Sequence, residues 1–378
     1  MTSLNLTSRP ESDISANSEP IDHLDERFFA PVADLKLLPD WSPPAGSEGG
    51  RFLNRHDGGS LEFKQHRSYG PGDDVRRVDW AVFGRTKKLY TRVVEAEHTP
   101  ELVIAIDHSA SMAAGGLASK FGAAVQYALL LAYVALNSDY RVHLVPFGPS
   151  EGSHSAQGVA LVHASQIHTI GFDRLSRWPV LGETNFQGLG EQSLSWRRRG
   201  ATLVVISDFL IDVPDDYLRH ENKLVPSWFD ISQHERQVFD RARAQARERI
   251  IASLDLLYAA LEPLKTPNVR TVLMPITGGG EQSLTAARSI FDLESGFLRR
   301  VLFTKASERA YRAAQDAHHV ALTSLARDLG AAVVATQGTH ENVHHQDSVE
   351  TRRSAIEKVI FGLGFGPFAI DQHWGQAP

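Results

Sequence analysis

Leu102-Val-Ile-Ala-Ile-Asp107 is an unbroken apolar run closed by a single carboxylate. A strand with one wet face alternates apolar and polar side chains, so a continuous run reads as a strand covered on both faces, as in a parallel sheet. Comparable runs recur at 141–147, 159–162, 202–208, 270–275 and 331–335. Phe121, Ala124, Val125, Ala128, Leu129, Ala132 and Leu136 follow the first run at helical i, i+3, i+4 spacing. Further helices fit at 166–175, 186–198 and 306–329. The alternation predicts an α/β chain with an open, mostly parallel sheet and helices on both faces. Ligands in such folds bind outside the carboxyl ends of the strands, and the first run delivers Asp107 there.

The flanks are of a different character. Residues 1–22 are rich in Ser, Asn, Pro and acids without a hydrophobic period, which predicts a disordered leader. A short helix is expected at 21–38, broken by Trp41-Ser-Pro-Pro-Ala-Gly. Short strand-like runs, among them Leu89-Tyr-Thr-Arg-Val-Val, alternate over 51–97 with turn signals such as Tyr69-Gly-Pro-Gly-Asp-Asp. The expected organisation is therefore a leader at 1–22, a helix and small β-rich lobe at 23–100, the α/β domain at 101–340, and a C-terminal tail at 341–378. A helical insertion is expected within the α/β domain at about 213–255. The charge-rich helical stretch 232–264 should pack Leu254, Leu257, Tyr258 and Leu261 on the sheet, with its beginning projecting into solvent or against a partner.

Composition narrows the chemistry. The chain has no cysteine, which removes disulfides, thiolate metal sites and thiol nucleophiles, so any metal needs oxygen or imidazole ligands. Seventeen His make imidazole the obvious candidate. A net charge of −6, from 39 Lys plus Arg against 45 Asp plus Glu, argues against a protein that coats nucleic acid. The N-terminus has no apolar signal core. The longest apolar run, 123–136, contains Gln126 and Tyr127 and is shorter than the ~20 residues of a spanning helix. These features predict a cytoplasmic protein with no membrane span.

Asp107-His-Ser109-Ala-Ser111-Met112 follows the first strand, and alternate residues of an extended turn would present one carboxylate and two hydroxyls to one point. Such a set suits a hard cation such as Mg²⁺, with Mn²⁺ and Ca²⁺ as the other oxygen-seeking choices. This Asp-x-Ser-x-Ser-Met pattern resembles the metal-ion-dependent adhesion site of von Willebrand factor A domains. That family also uses a Thr from a second loop and an Asp from the end of a third strand. Gly182-Glu-Thr184 and Val204-Val-Ile-Ser-Asp208 stand in the right order to supply them.

Upstream, Gly59, Glu62-Phe63, Arg67-Ser-Tyr69-Gly-Pro-Gly72-Asp73-Asp74-Val-Arg76, Asp79-Trp80 and Arg85 resemble the signature of the family called domain of unknown function 58. Asp292-Leu-Glu294-Ser-Gly296 also fits that pattern. The resemblance covers about 51–335, with 228–254 as an apparent insertion.

The resemblance implies a von Willebrand factor A-like, Rossmann-like sheet preceded by the β-rich lobe. It implies that Ser109, Ser111 and Thr184 touch the metal directly, while Asp107 and Asp208 act partly through water. The sixth position is then left to an Asp or Glu from a protein partner. It further implies an adaptor or assembly role beside a MoxR-type AAA+ ATPase, and no catalysis.

The same cation could instead serve a hydrolase of phosphate or peptide bonds, with His108 and Glu183 as the nearby candidate bases, and a metal-free scaffold is the third reading. Asp107 as a phosphatase nucleophile is disfavoured because Ser109 stands where a second carboxylate is wanted. Gly278-Gly-Gly280 lacks the completion of a phosphate loop and reads as a turn. His340, His344, His345 and the pair His318-His319 read as bystanders. Arg67, Asp73, Asp74, Arg76, Asp79 and Trp80 read as a bonded network in preference to a docking surface. The arginines of 236–249, interleaved with Asp240 and Glu248, read as a solvated helix face.

Overall fold

A computed structural model of the chain describes residues 26–37, 61–70, 75–96, 100–113, 120–148, 158–186, 188–189, 201–211, 213, 226–265, 270–277, 289–291, 298–300, 304–337 and 346–363. The expected leader at 1–22, Gly59, Asp73, Asp74, Gly278–Gly280, Asp292, Glu294, Gly296 and His340, His344 and His345 lie outside them. The chain divides into two units, one of residues 40–99 and one of 1–39 with 100–378.

In the smaller unit, β1 (Leu61–Ser68) and β2 (Tyr90–Ala96) pair antiparallel, with a register irregularity between Phe63 and Gln65. Helix α2 (Trp80–Thr86) lies between them in sequence. Asp79 starts it: one carboxylate oxygen accepts from the backbone N–H groups of Ala81 and Val82, and the other lies 3.0 Å from His66 Nε2. Asp79 is therefore a helix cap, and its carboxylate meets the side chain of His66, a residue outside the expected network. Trp80 is 57% exposed.

The larger unit is built on a mixed, mostly parallel sheet. Its strands are β3 (Glu101–Asp107), β4 (Arg141–Phe147), β5 (Val159–Leu161), β6 (Thr202–Ser207), β7 (Arg270–Thr277) and β10 (Ala332–Val333), in the order β10-β7-β6-β3-β4-β5. Only the β4–β5 pairing is antiparallel among these, and the two-residue strand β11 (Thr336–Gln337) adds to β7. The short strands β8 (Ser289–Phe291) and β9 (Leu298–Arg300) pair with each other.

Every residue of β3 is buried, as its unbroken apolar run requires. Successive side chains divide between two cores. Leu102, Ile104 and Ile106 join Val204, Ile206, Val272 and Met274 on one face, while Val103 and Ala105 join Leu203, Val205 and Leu273 on the other.

The first core is closed by α3 (Lys120–Leu136), by the short α1 (Glu26–Phe29) with the turn after it, and by α8 (Gln346–Gly362). Phe29 stacks on Tyr133 at 4.7 Å, and Arg353 of α8 holds both carboxylate oxygens of Asp34 at 2.6 and 2.8 Å. The N-terminal helix thus packs within the larger unit, whereas the expected boundary at residue 100 grouped it with the lobe. Within the expected tail at 341–378, α8 buries Ile356, Val359, Ile360 and Leu363.

The second core is closed by α7 (Lys305–Leu329), α5 (Gln233–Asp240) and α6 (Ala244–Leu261). A π turn (Ile167–Phe172) leading into α4 (Asp173–Ser176) occupies the expected helix at 166–175. The stretch 232–264 is two helices, not one, and its beginning does not project. Trp228 and Phe239 are buried, Trp228 stacks on Tyr258, and Ser324 Oγ accepts from the N–H of Asp230 and lies 3.0 Å from the carbonyl of Trp228. A capping box between Ser232 and Glu235 starts α5. Arg236, Arg241, Arg243 and Arg249 are exposed, the solvated face their spacing predicts. Among the described residues no helix is long and apolar enough to cross a membrane.

Candidate functional site at the carboxyl ends of β3 and β6

The chain leaves β3 for β4 and β5 on one side, then returns to β6 on the other. The strand order therefore reverses at β3, and the crevice beyond the carboxyl ends of β3 and β6 is the switch point where an open sheet receives a ligand. Asp107 is the last residue of β3, and Asp208 directly follows β6. Both carboxylates are buried at this point.

The Ser109 hydroxyl meets the Asp107 carboxylate, but not by the expected alternation of an extended turn. The extended path ends at Asp107, and a 3-10 turn (Ala110–Ala113) begins two residues past Ser109's neighbour His108. The turn is pinned by Asp107 itself, whose Oδ1 accepts from the Ser109 N–H at 2.9 Å. Ser109 and Ser111 then meet through their Oγ atoms, 3.1 Å apart.

The second loop is sewn to the first by backbone bonds. The Ala110 N–H donates to the Gly182 carbonyl at 2.8 Å and the Leu181 N–H to the His108 carbonyl at 3.1 Å. His108 Nδ1 lies 2.8 Å from the Pro179 carbonyl, which cannot donate, so this nitrogen carries the proton. Burial lowers the pKa of His108, against the opposing effect of that bond. Gly182 adopts φ +76°, the left-handed region that favours glycine, and Thr184 follows it half-buried. The five residues expected to cooperate thus stand on three neighbouring loops: Asp107, Ser109 and Ser111 are in direct contact, and Thr184 and Asp208 stand on the loops beside them.

Three residues that sequence reasoning did not assign belong to this place. Ser207 Oγ donates to Asp107 Oδ2 at 2.6 Å and accepts from the Phe209 N–H at 2.9 Å. Lys120, buried at the start of α3, places its Nζ 3.1 Å from Asp208 Oδ2. The other oxygen of Asp208 accepts from the Leu210 N–H. Lys120 is the sole charged residue in the seventeen-residue sequence of α3, and that isolation was a legible signal. His318 of α7 has a buried Nε2 with no hydrogen-bond partner, and it feels the charges of Asp208, His319 and Lys120.

Electrostatics make ionisation costly here. Burial pushes the Asp107 carboxyl up to about 7, with the Asp208 charge adding to the rise and the Ser207 and Ser109 hydrogen bonds opposing it. A cation would relieve both effects. Adjacent oxygens around an octahedral Mg²⁺ stand about 3.0 Å apart when metal–oxygen distances are ~2.1 Å. The 3.1 Å between the two hydroxyls is compatible with that arrangement. Among the described residues no three His, Asp or Glu side chains group to hold a metal, so a cation here would rely on hydroxyl oxygens beside two carboxylates.

The family model described as "Protein of unknown function DUF58" matches residues 65–225. Uncharacterized proteins of Mycobacterium tuberculosis (strain H37Rv) and Mycobacterium bovis are each 41% identical over 63 residues, which is 17% of this chain and 20% of theirs. The match therefore spans about a fifth of the length of these relatives. Among solved structures, the pilus adhesin SpaC of Lactobacillus rhamnosus GG aligns over 71% of this chain and 30% of its own, at 12% identity and a TM-score of 0.32. The PilB minor pilin of Streptococcus sanguinis aligns over 74% of this chain and 64% of its own, at 11% identity and a TM-score of 0.35.

Proposed function

We propose that the larger unit is a von Willebrand factor A-like domain that captures an acidic side chain of a protein partner through a divalent cation. Ser109, Ser111 and Thr184 would hold the ion directly, and Asp107 and Asp208 would orient its water. Mg²⁺ is the first choice and Mn²⁺ or Ca²⁺ the substitutes. When bound, the ion supplies Lewis acidity towards a carboxylate. The observation that carries this reading is the pair of Ser109 and Ser111 hydroxyls, 3.1 Å apart, in the turn whose first N–H is pinned by Asp107.

The surroundings support a surface that meets another protein. Leu181 and Leu210 are 47% and 46% exposed, and they stand on the loops that carry Thr184 and Asp208. They would offer an apolar collar around an incoming carboxylate. A MoxR-type AAA+ ATPase is the class of partner that the family resemblance suggests, in a cytoplasmic adaptor or assembly role.

Binding is favoured over hydrolysis by the state of the candidate bases. His108 is buried and its Nδ1–H is committed to the Pro179 carbonyl, while Glu183 is exposed. In calorimetry, Mg²⁺ should release or absorb heat on mixing and raise the melting temperature, because a ligand of the native state stabilises it. A pull-down from the native cell should capture a partner that chelator releases and that Ser109→Ala/Ser111→Ala fails to capture. Turnover of a phosphate ester lost with the same double substitution would overturn the adaptor reading in favour of a hydrolase. Absence of any heat or stabilisation at millimolar metal would leave a metal-free scaffold.

A further inference from the structure

Lys120 introduces a charge that the ligand set does not need. Its ammonium is buried, 3.1 Å from Asp208 Oδ2, within a site where the other buried charged side chains among the described residues are Asp107 and Asp208. A buried ammonium is unfavourable unless it is paired, and the Asp208 carboxylate pairs it. With both carboxylates ionised, as metal ligation requires, the buried charged side chains of the site among the described residues sum to −1.

A divalent cation would bring that sum to +1. Without Lys120 the same cation would bring it to zero. In a buried setting the difference decides what the loaded site does next, because an uncompensated charge there attracts a counter-ion far more strongly than one in water. We infer that Lys120 makes the site an anion acceptor: it weakens the cation held alone and couples its retention to a carboxylate from outside. This inference rests on the cation reading of the site and specifies its regulation. Cation and carboxylate then bind cooperatively, each raising the affinity for the other by the same factor. The partner's acidic residue would complete the charge balance as well as the coordination.

The test titrates the full chain with Mn²⁺, followed by electron paramagnetic resonance of the free ion. It is run with and without acetate, against chloride at equal ionic strength and with acetate complexation of free Mn²⁺ subtracted. Acetate is expected to tighten Mn²⁺ binding to the unsubstituted protein at least about threefold. Lys120→Met is expected to bind Mn²⁺ alone about tenfold tighter or more and to lose the acetate effect, since a nearby positive charge has been removed. Lys120→Arg should keep the unsubstituted behaviour. Equal Mn²⁺ affinities in all three proteins with no acetate effect would overturn the role of Lys120 and leave the cation reading standing. No Mn²⁺ binding by any of them would overturn both. Where Lys120→Met does not fold, the unsubstituted protein decides by itself: Mn²⁺ affinity indifferent to acetate sinks the inference.

Discussion

Ser207 reaches from the end of β6 to the end of β3 and donates its hydroxyl to Asp107 Oδ2 across 2.6 Å. The bond ties the two strands at the point where the strand order reverses, and it is made to a carboxylate that burial otherwise discourages from ionising. Hydrogen bonds to charged acceptors contribute more than neutral ones. Ser207→Ala also leaves the buried Phe209 N–H without the oxygen it donates to. The expected loss is about 1.5–3 kcal/mol in urea denaturation with an unchanged m-value. A loss below about 0.5 kcal/mol would mean the bond is not held in solution.

Asp107 and His318 pull the pH dependence of stability in opposite directions. The folded pKa of Asp107 is raised from the usual 3.8 to about 7. Its contribution is therefore fully present below about pH 4 and is lost as the pH rises through 7. The folded pKa of His318 is lowered by burial from the usual 6.5 to about 4, so its contribution is present above 6.5 and is lost as the pH falls towards 4. Over the shared window the two slopes offset each other. Asp107→Asn should make stability rise more steeply with pH there, and His318→Gln should make it fall. Each difference has a ceiling of about 1.4 kcal/mol per pH unit. Denaturation midpoints across the window check both, and differences of the same sign would refute the assignment.

The strands that carry the site were legible because burial on both faces leaves a continuous apolar run. Leu102–Ile106 and Leu203–Ile206 read this way without any knowledge of their neighbours. Asp107, Ser109 and Ser111 were legible as a motif, but the 3-10 turn that joins the hydroxyls was not, because it depends on Asp107 accepting the Ser109 N–H. Ser207 was missed because its role is long-range, in a bond to a residue 100 positions away; Lys120, whose partner lies 88 positions away, showed in the sequence only as the sole charged residue of α3. The final helix is a different kind of miss. Ala355, Ile356, Val359, Ile360 and Leu363 have plain helical spacing and all are buried, so the signal was present and went unread.

The break within 232–264 was hidden by its charges, and its packing gives a direct test. Phe239 is buried against Phe229, at 5.1 Å between ring centroids, in the same core as Leu322 and Leu325 of α7. A helix projecting into solvent would tolerate its truncation. Phe239→Ala is instead expected to cost about 3 kcal/mol, in the range found for buried Phe. Limited proteolysis should then cut within 226–243 faster than in the unsubstituted protein, since local opening precedes global unfolding. Resistance equal to that of the unsubstituted protein would argue that α5 contributes no packing.

The second loop is held in place by a glycine. Gly182 sits at φ +76° and its carbonyl accepts from Ala110, so the same residue sets the path towards Thr184 and anchors the turn of Ser109 and Ser111. An L side chain at this φ costs about 1 kcal/mol, and relaxing the strain would move the carbonyl away from Ala110. Gly182→Ala is therefore expected to lower stability by about that amount while weakening Mg²⁺ binding about tenfold or more, a disproportion that separates it from a distant mutation of equal stability cost. Thermal denaturation and calorimetric titration on the same preparation read the two effects. A destabilised protein that keeps its full Mg²⁺ affinity would show that the Gly182–Thr184 loop does not take part in holding the ion.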